Sequence, residues 1–158
     1  MKRSYVIDLS TQGINELKRG LVEYQKWLSQ KTDELCRRLA EIGVQKAEIN
    51  FAAAYYDGDE DHALEVVPKG ANCYAVKASG ITVLFVEFGT GLIGYGPPEL
   101  HGMGPGTYPG KGHWDDPNGW WYAHGKKSHG NPPNMPMYNT VKELEMELER
   151  VAREVFAL

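Results

Sequence analysis

Four of the five histidines, His101, His113, His124 and His129, fall in one stretch of the chain beside Glu99, Asp115 and Asp116. Imidazoles and carboxylates are the groups that hold a divalent metal or exchange a proton with a substrate. Their spacing argues against both roles. No two histidines lie three or four apart, and neither His-x-x-x-His nor His-Glu-x-x-His occurs, so no regular element would aim two of them at one point. A second place of interest is Glu87-Phe88-Gly89-Thr90-Gly91. A phosphate loop would follow such glycines with Lys-Ser or Lys-Thr and a helix, and the sequence supplies neither. The glycines fit a sharp exit from a sheet through positive backbone torsions. Glu87 reads as the ion-pair partner of an arginine on a neighbouring element or subunit rather than as a catalytic acid. Cys36 and Cys73 are the only cysteines and form no Cys-x-x-Cys pair, and there is no Gly-x-Ser-x-Gly elbow. The expectation is a chain without catalytic residues, metal or cofactor.

The remaining chemistry is aromatic. Trp114, Trp120, Trp121 and Tyr122 form a cluster that suits two tasks: stacking on sugars or unpaired bases, and anchoring a protein interface, where Trp and Tyr concentrate binding energy. The cluster lies between Gly89 and Asn134, 46 residues that hold twelve Gly, seven Pro and three of the four Trp. No helical or strand period runs through them. A loop of this length in a small domain is functional or orders on a partner, and its aromatics set it apart from a disordered linker. We read 89–134 as a long irregular loop ordered at subunit interfaces.

The elements that must carry this loop follow from periodicity. Tyr5 to Leu9 alternates as a short strand. From Thr11, Ile14, Leu17, Leu21, Tyr24 and Leu28 recur at three and four residues, the stripe of an amphipathic helix with Ser10 or Thr11 as N-cap. The stripe continues through Leu35, Leu39, Ile42 and Ile49, with Gly20 and Gly43 as weak points, so the spacing predicts one helix to about Gln30 and a longer one to about Tyr55. The turn signal Asp57-Gly58-Asp59-Glu60-Asp61 introduces three stretches of strand composition, His62–Val67, Cys73–Ala78 and Ile81–Phe88, separated by Pro68–Asn72 and Ser79-Gly80. These predict an antiparallel meander, which the first strand could join. The chain closes on a helix, capped by Asn139 or Thr140, with Val141, Leu144, Leu148, Val151, Val155 and Leu158 on one narrow stripe. The expected class is α+β: a small antiparallel sheet of about four strands packed on a long helix, a long Gly, Pro and aromatic loop, and a C-terminal helix.

The chain's 158 residues suit one domain, 1–158, and its net charge of -4 disfavours a protein that clamps duplex DNA through a basic face. No run approaches the roughly 20 apolar residues of a membrane span, and the first residues lack the apolar run of a signal peptide. The expectation is a soluble protein made in the cytoplasm.

The order of parts carries a resemblance. A short strand, a long helical segment, a sheet ending in Phe85-Val86-Glu87-Phe88-Gly89-Thr90-Gly91, a Gly and aromatic loop, then Pro133-Asn134-Met135-Pro136-Met137-Tyr138-Asn139-Thr140 before a final helix together resemble the tail-completion, or tail-component, family of long-tailed bacteriophages. The most specific pieces are the Glu-Phe-Gly-Thr-Gly strand end and the Pro-x-Met-Tyr entry to the last helix. Met135, Pro136 and Met137 stand where members usually carry Pro-Phe-Met or a similar apolar motif. Gly119-Trp120-Trp121-Tyr122 is similar to loop segments of members from phages of Gram-positive hosts. The resemblance implies a non-enzymatic virion protein of the neck or tail, present in the host cytoplasm during assembly. It implies a homo-oligomeric ring with a tail terminator or tail-tube protein and a head-closure or adaptor protein as neighbours. Its interface candidates are Glu87, Phe88, Gly89, Thr90, Gly91, Trp114, Trp120, Trp121, Tyr122, Met135, Met137 and Tyr138.

Overall fold

A computed structural model describes residues 8, 10–56, 61–91, 118–121 and 125–157. Its spine is α1, Thr11–Ala52, a single 42-residue helix about 63 Å long at 1.5 Å per residue. Ser10 caps it, the hydroxyl accepting the Gly13 N–H at 3.2 Å. The break expected near Gln30 is absent. The segment around it has no Gly or Pro, and Thr32 donates its hydroxyl to the Leu28 carbonyl at 2.8 Å while Lys31 pairs with Glu34 at 2.9 Å. The helix has no local reason to end there.

The other weak point, Gly43, is a packing requirement. A Cβ at this position would lie 2.6 Å from Val76 Cγ2 and 3.1 Å from Leu144 Cδ1, so glycine is what lets two other elements close on α1 at one level. The first is the hairpin β1, Ala63–Gly70, and β2, Cys73–Ser79, paired antiparallel from Ala63↔Ser79 to Gly70↔Cys73. The strand runs through Pro68, where a turn was expected. Pro68 sits opposite Tyr74, next to an irregularity in the pairing between Pro68 and Gly70, the kind of position at which a strand accepts Pro. The turn is confined to Ala71 and Asn72, the latter in the left-handed region at φ 56°.

The third stretch of strand composition is a helix, α2, Val83–Phe88. A short apolar run is compatible with a strand or a buried helical turn, and here burial decides. Val83, Val86 and Glu87 fall three and four apart on the inner face, and Val83 and Val86 join Ala47 and Phe51 in the core. Asp61 fixes the start: its carboxylate accepts the Ile81 N–H, its carbonyl accepts the Thr82 hydroxyl, and its own N–H donates to that hydroxyl. The sheet on the long helix is therefore a two-stranded hairpin. Two shorter pairings follow: β3, Thr90–Gly91, with β6, Gly130–Asn131, and β4, Trp120–Trp121, with β5, Lys127–Ser128.

The last element, α3, Pro136–Phe156, begins earlier than Asn139 or Thr140. Pro136 opens the first turn, where its missing N–H is no loss. α3 runs antiparallel to α1. Asn50 donates to the Thr140 hydroxyl at 3.0 Å, Lys46 pairs with Glu143 at 3.0 Å, Arg38 with Glu154 at 2.7 Å, and Trp27 meets Phe156 edge-on at 6.0 Å. Val151 and Val155 of the expected stripe are fully buried, and Val141 and Leu148 remain about half exposed. The class is α+β, with a core around Ala47, Phe51, Val83 and Val86 among the described residues. The expected strand Tyr5–Leu9 lies outside the described residues except for Asp8.

Candidate functional site

The two segments that carry the sequence signature meet each other, and Glu87 is the reason. Its side chain leaves the inner face of α2 at 7% exposure and reaches the open end of α3. Oε2 accepts the Met137 N–H at 2.8 Å and Oε1 the Tyr138 N–H at 3.0 Å. The first turn of any helix leaves N–H groups without intrahelical partners, and a carboxylate there also meets the positive end of the helix dipole. Met135, the residue in the capping position, supplies no side-chain cap and sits at φ 53°. Glu87 thus does from α2 what a local Ser or Asp does elsewhere. The expected ion pair with an arginine is replaced by this cap, since no cation pairs with Glu87 among the described residues. Burial pushes its carboxyl above the ordinary glutamate value, and the two backbone N–H groups oppose that rise.

Backbone bonds tighten the same joint. The Asn134 N–H donates to the Val86 carbonyl at 3.0 Å and the Met135 N–H to the Glu87 carbonyl at 3.2 Å. Asn134 also grips the end of the spine, accepting the Tyr55 N–H and donating to the Tyr55 carbonyl, both at 2.8 Å. Gly89 ends α2 at φ 76°, its N–H bonded to the Phe85 carbonyl at 2.9 Å; the positive torsion is the one expected, but it closes a helix where an exit from a sheet was expected. Thr90 follows, 4% exposed, with its hydroxyl accepting the Asn131 backbone N–H at 3.1 Å. Asn131 is fully buried. Asn131 was not among the expected site residues and Asn134 only part of the lead-in to the last helix; the signal for both is a Pro-Pro pair between two asparagines, a turn composition.

Of the interface candidates, Glu87, Gly89 and Thr90 are buried within the chain, and Phe88, Met135, Met137 and Tyr138 are half-buried. Gly91 lies in β3 and Trp120 in β4. Trp121 is the outward aromatic, 68% exposed, with the Lys127 ammonium 6.0 Å from its ring centre. Tyr138 has Lys142 at 5.6 Å. Trp114 and Tyr122 lie outside the described residues, as do His101, His113, His124, Glu99, Asp115 and Asp116.

No family model, curated protein or solved structure matches this chain. The site therefore rests on its own geometry.

Beside the joint, an apolar groove of about 400 Å³ runs between α1, α3 and β2, lined by Leu39, Val76, Met137, Val141 and Leu144 with Cys36 and Cys73 at one end. Burial pushes the Cys36 thiol upward, with the Asp33 carboxylate adding to it, which disfavours the reactive thiolate. Asp33 is spent on structure, accepting the Tyr74 hydroxyl at 3.0 Å and the Asn72 N–H at 3.3 Å. Among the described residues no three His, Cys, Asp or Glu cluster as a metal site, and no helix is long and apolar enough to cross a membrane. The joint ties α2, the end of α1 and the start of α3 together.

Proposed function

We propose that the chain is a structural neck protein of a long-tailed bacteriophage, of the tail-completion kind, which joins tail to head by assembling as a ring rather than by catalysis. The observation that carries this reading is the Glu87 joint. The Glu87–Gly91 and Pro133–Tyr138 segments, which carry the resemblance, are separated by the long aromatic stretch in sequence and bonded to each other in the fold. Such a joint gives the intervening stretch two fixed feet on a rigid base, as an interface loop needs. Partners under this reading are further copies of the chain, a tail terminator or tail-tube protein, and a head-closure or adaptor protein.

The experiment is light scattering behind a sizing column, on the pure protein and after mixing with a tail-tube or terminator protein from the same genome. A ring, formed alone or with that partner, is the expected result. A chain that ignores every virion partner would overturn the reading. One observation favours a second reading, a module for carbohydrate or single-stranded nucleic acid: Trp121 presents its ring outward beside Lys127, a pairing that suits stacking next to an anion. Quenching of tryptophan fluorescence by oligosaccharide or oligonucleotide, lost in Trp121→Ala, is its expected signature.

A further inference from the structure

Cys36 on α1 and Cys73 at the start of β2 have no part in the joint at Glu87, and the packing of the hairpin brings them level. Asp33 accepts the Asn72 N–H at 3.3 Å. Further along the helix Gly43 faces Val76, whose Cγ2 would lie 2.6 Å from a Cβ there. Between these two contacts α1 rises about 15 Å and β2 about 13 Å, so helix and strand run side by side in one direction. Cys36 stands about 4.5 Å beyond Asp33 and Cys73 about 3.3 Å beyond Asn72, which leaves about 1 Å between them along the axis. Cys36 also precedes Gly43 by nearly two whole turns, and so shares to within about 20° the side of α1 on which β2 closes. Cys73 is held at this level from both sides, because Asp33 accepts the N–H of Asn72 before it and the hydroxyl of Tyr74 after it, the latter at 3.0 Å. Both cysteines border one end of the apolar groove, Cys36 half-buried and Cys73 exposed.

We infer that Cys36 and Cys73 are a reversible redox pair, open in reducing surroundings and joined by a disulfide in oxidising ones, which pins the turn of the hairpin to α1. The oxidant is a small disulfide such as oxidised glutathione. The exposed Cys73, as thiolate, attacks one sulfur of it and expels one glutathione thiolate; Cys36, as thiolate, then attacks the Cys73 sulfur of the mixed disulfide and expels the second. Two protein thiols are oxidised and one glutathione disulfide is reduced to two thiols, the protons given up by the cysteines passing to the departing thiolates. The order follows from access and charge. Burial and the Asp33 carboxylate hold the Cys36 thiol above its ordinary value, so Cys36 is the poorer first nucleophile and acts once its target is fixed beside it.

The bond is a labile one rather than a structural staple. Tyr74 and Val76 are turned to α1, and alternation along the strand turns Cys73 to the other face, so its sulfur must swing inward to reach Cys36. Cys73 is the first residue of β2, beside the turn at Ala71 and Asn72, where a strand end opens at the least cost. A disulfide that needs such movement is strained and exposed, the kind that reduces readily. The pair does not rest on the neck reading.

The test equilibrates the full chain, at about 1 μM to hold down links between chains, in glutathione buffers graded from reducing to oxidising. After free thiols are blocked, peptide mass mapping should find both cysteines blocked in the reducing buffers and linked to each other within one chain in the oxidising ones. Excess reduced glutathione should restore both thiols, and helical circular dichroism should stay that of the reduced chain throughout. Cys36→Ser should stop at the mixed disulfide, with glutathione retained on Cys73; Cys36→Ala serves where that variant unfolds. Both thiols still free in the most oxidising buffer, glutathione carried on the two cysteines independently, a link between chains only, or a link that appears only in denaturant would each overturn the inference.

Discussion

Glu87 shows how one side chain can be misassigned by its neighbours in sequence and explained by its neighbours in space. In the segment Val86-Glu87-Phe88 a lone carboxylate invites a search for a cation. In the fold its two oxygens hold the first free N–H groups of a helix that begins 49 positions later. Truncation to Ala leaves those donors buried and unpaired, so Glu87→Ala should cost about 1–3 kcal/mol, measured by denaturant unfolding. The pH dependence has a definite sign. Because the folded-state value is raised, the folded protein holds this proton more tightly than the unfolded chain. The stability tied to it thus grows as pH falls from neutral through the raised value, and levels off below the ordinary glutamate value. Glu143, hydrogen-bonded to Lys46 and Asn50, and Glu154, bonded to Arg38 and Arg150, are held below that value. Their contribution is lost only at lower pH. Melting temperature should therefore rise on mild acidification and fall on further acidification. In Glu87→Gln the rise should vanish and the fall should persist.

At the scale of elements, composition misled where burial outweighed propensity. Ile81 to Phe88 has the residues of a strand and the structure of a helix, because Val83, Val86 and Glu87 are drawn inward together while Ile81, 81% exposed, stays in solvent. β-propensity measures fit to a pleated, half-buried surface, and this segment packs on a helix end instead. Gly43 is the converse: a residue that weakens a helix locally and is required by its neighbours. Gly43→Ala gains helix propensity of about 1 kcal/mol but drives a methyl into Val76, whose β-branched side chain in β2 cannot swing aside. Overpacking of this kind costs about 1–3 kcal/mol, so the variant should be less stable on balance. A lower denaturant midpoint with an unchanged slope is the expected observation.

Among the described residues, the molecule is a long helix with its partners gathered at one end. The hairpin, α2 and α3 pack on its C-terminal portion, with buried residues at Ala40, Gly43, Ala47 and Phe51, while the turns before Trp27 bury none. Ion pairs such as Arg38–Glu154 add little at this exposure; the fold is held by the core around Phe51 and by the joint at Glu87. Hydrogen exchange should divide α1 accordingly. Amides from about Asn15 to Lys26 should exchange orders of magnitude faster than those from Ala40 to Phe51 in dilute protein.

The sequence by itself determined what depends on neighbours a few residues apart. The α1 stripe, the Ser10 cap, the β1–β2 pairing, the positive torsion at Gly89 and the α3 stripe are set by helical and strand periods and by local capping, and all are legible in one dimension. It also carried the α+β class, since the elements alone imply it. Tertiary structure decided whatever depends on contact between distant segments. It made Ile81–Phe88 a helix, started α3 at Pro136 and turned Glu87 from an expected ion-pair partner into a cap. In each case the deciding energy is burial against residues tens of positions away, and no local period records which side chains those will be.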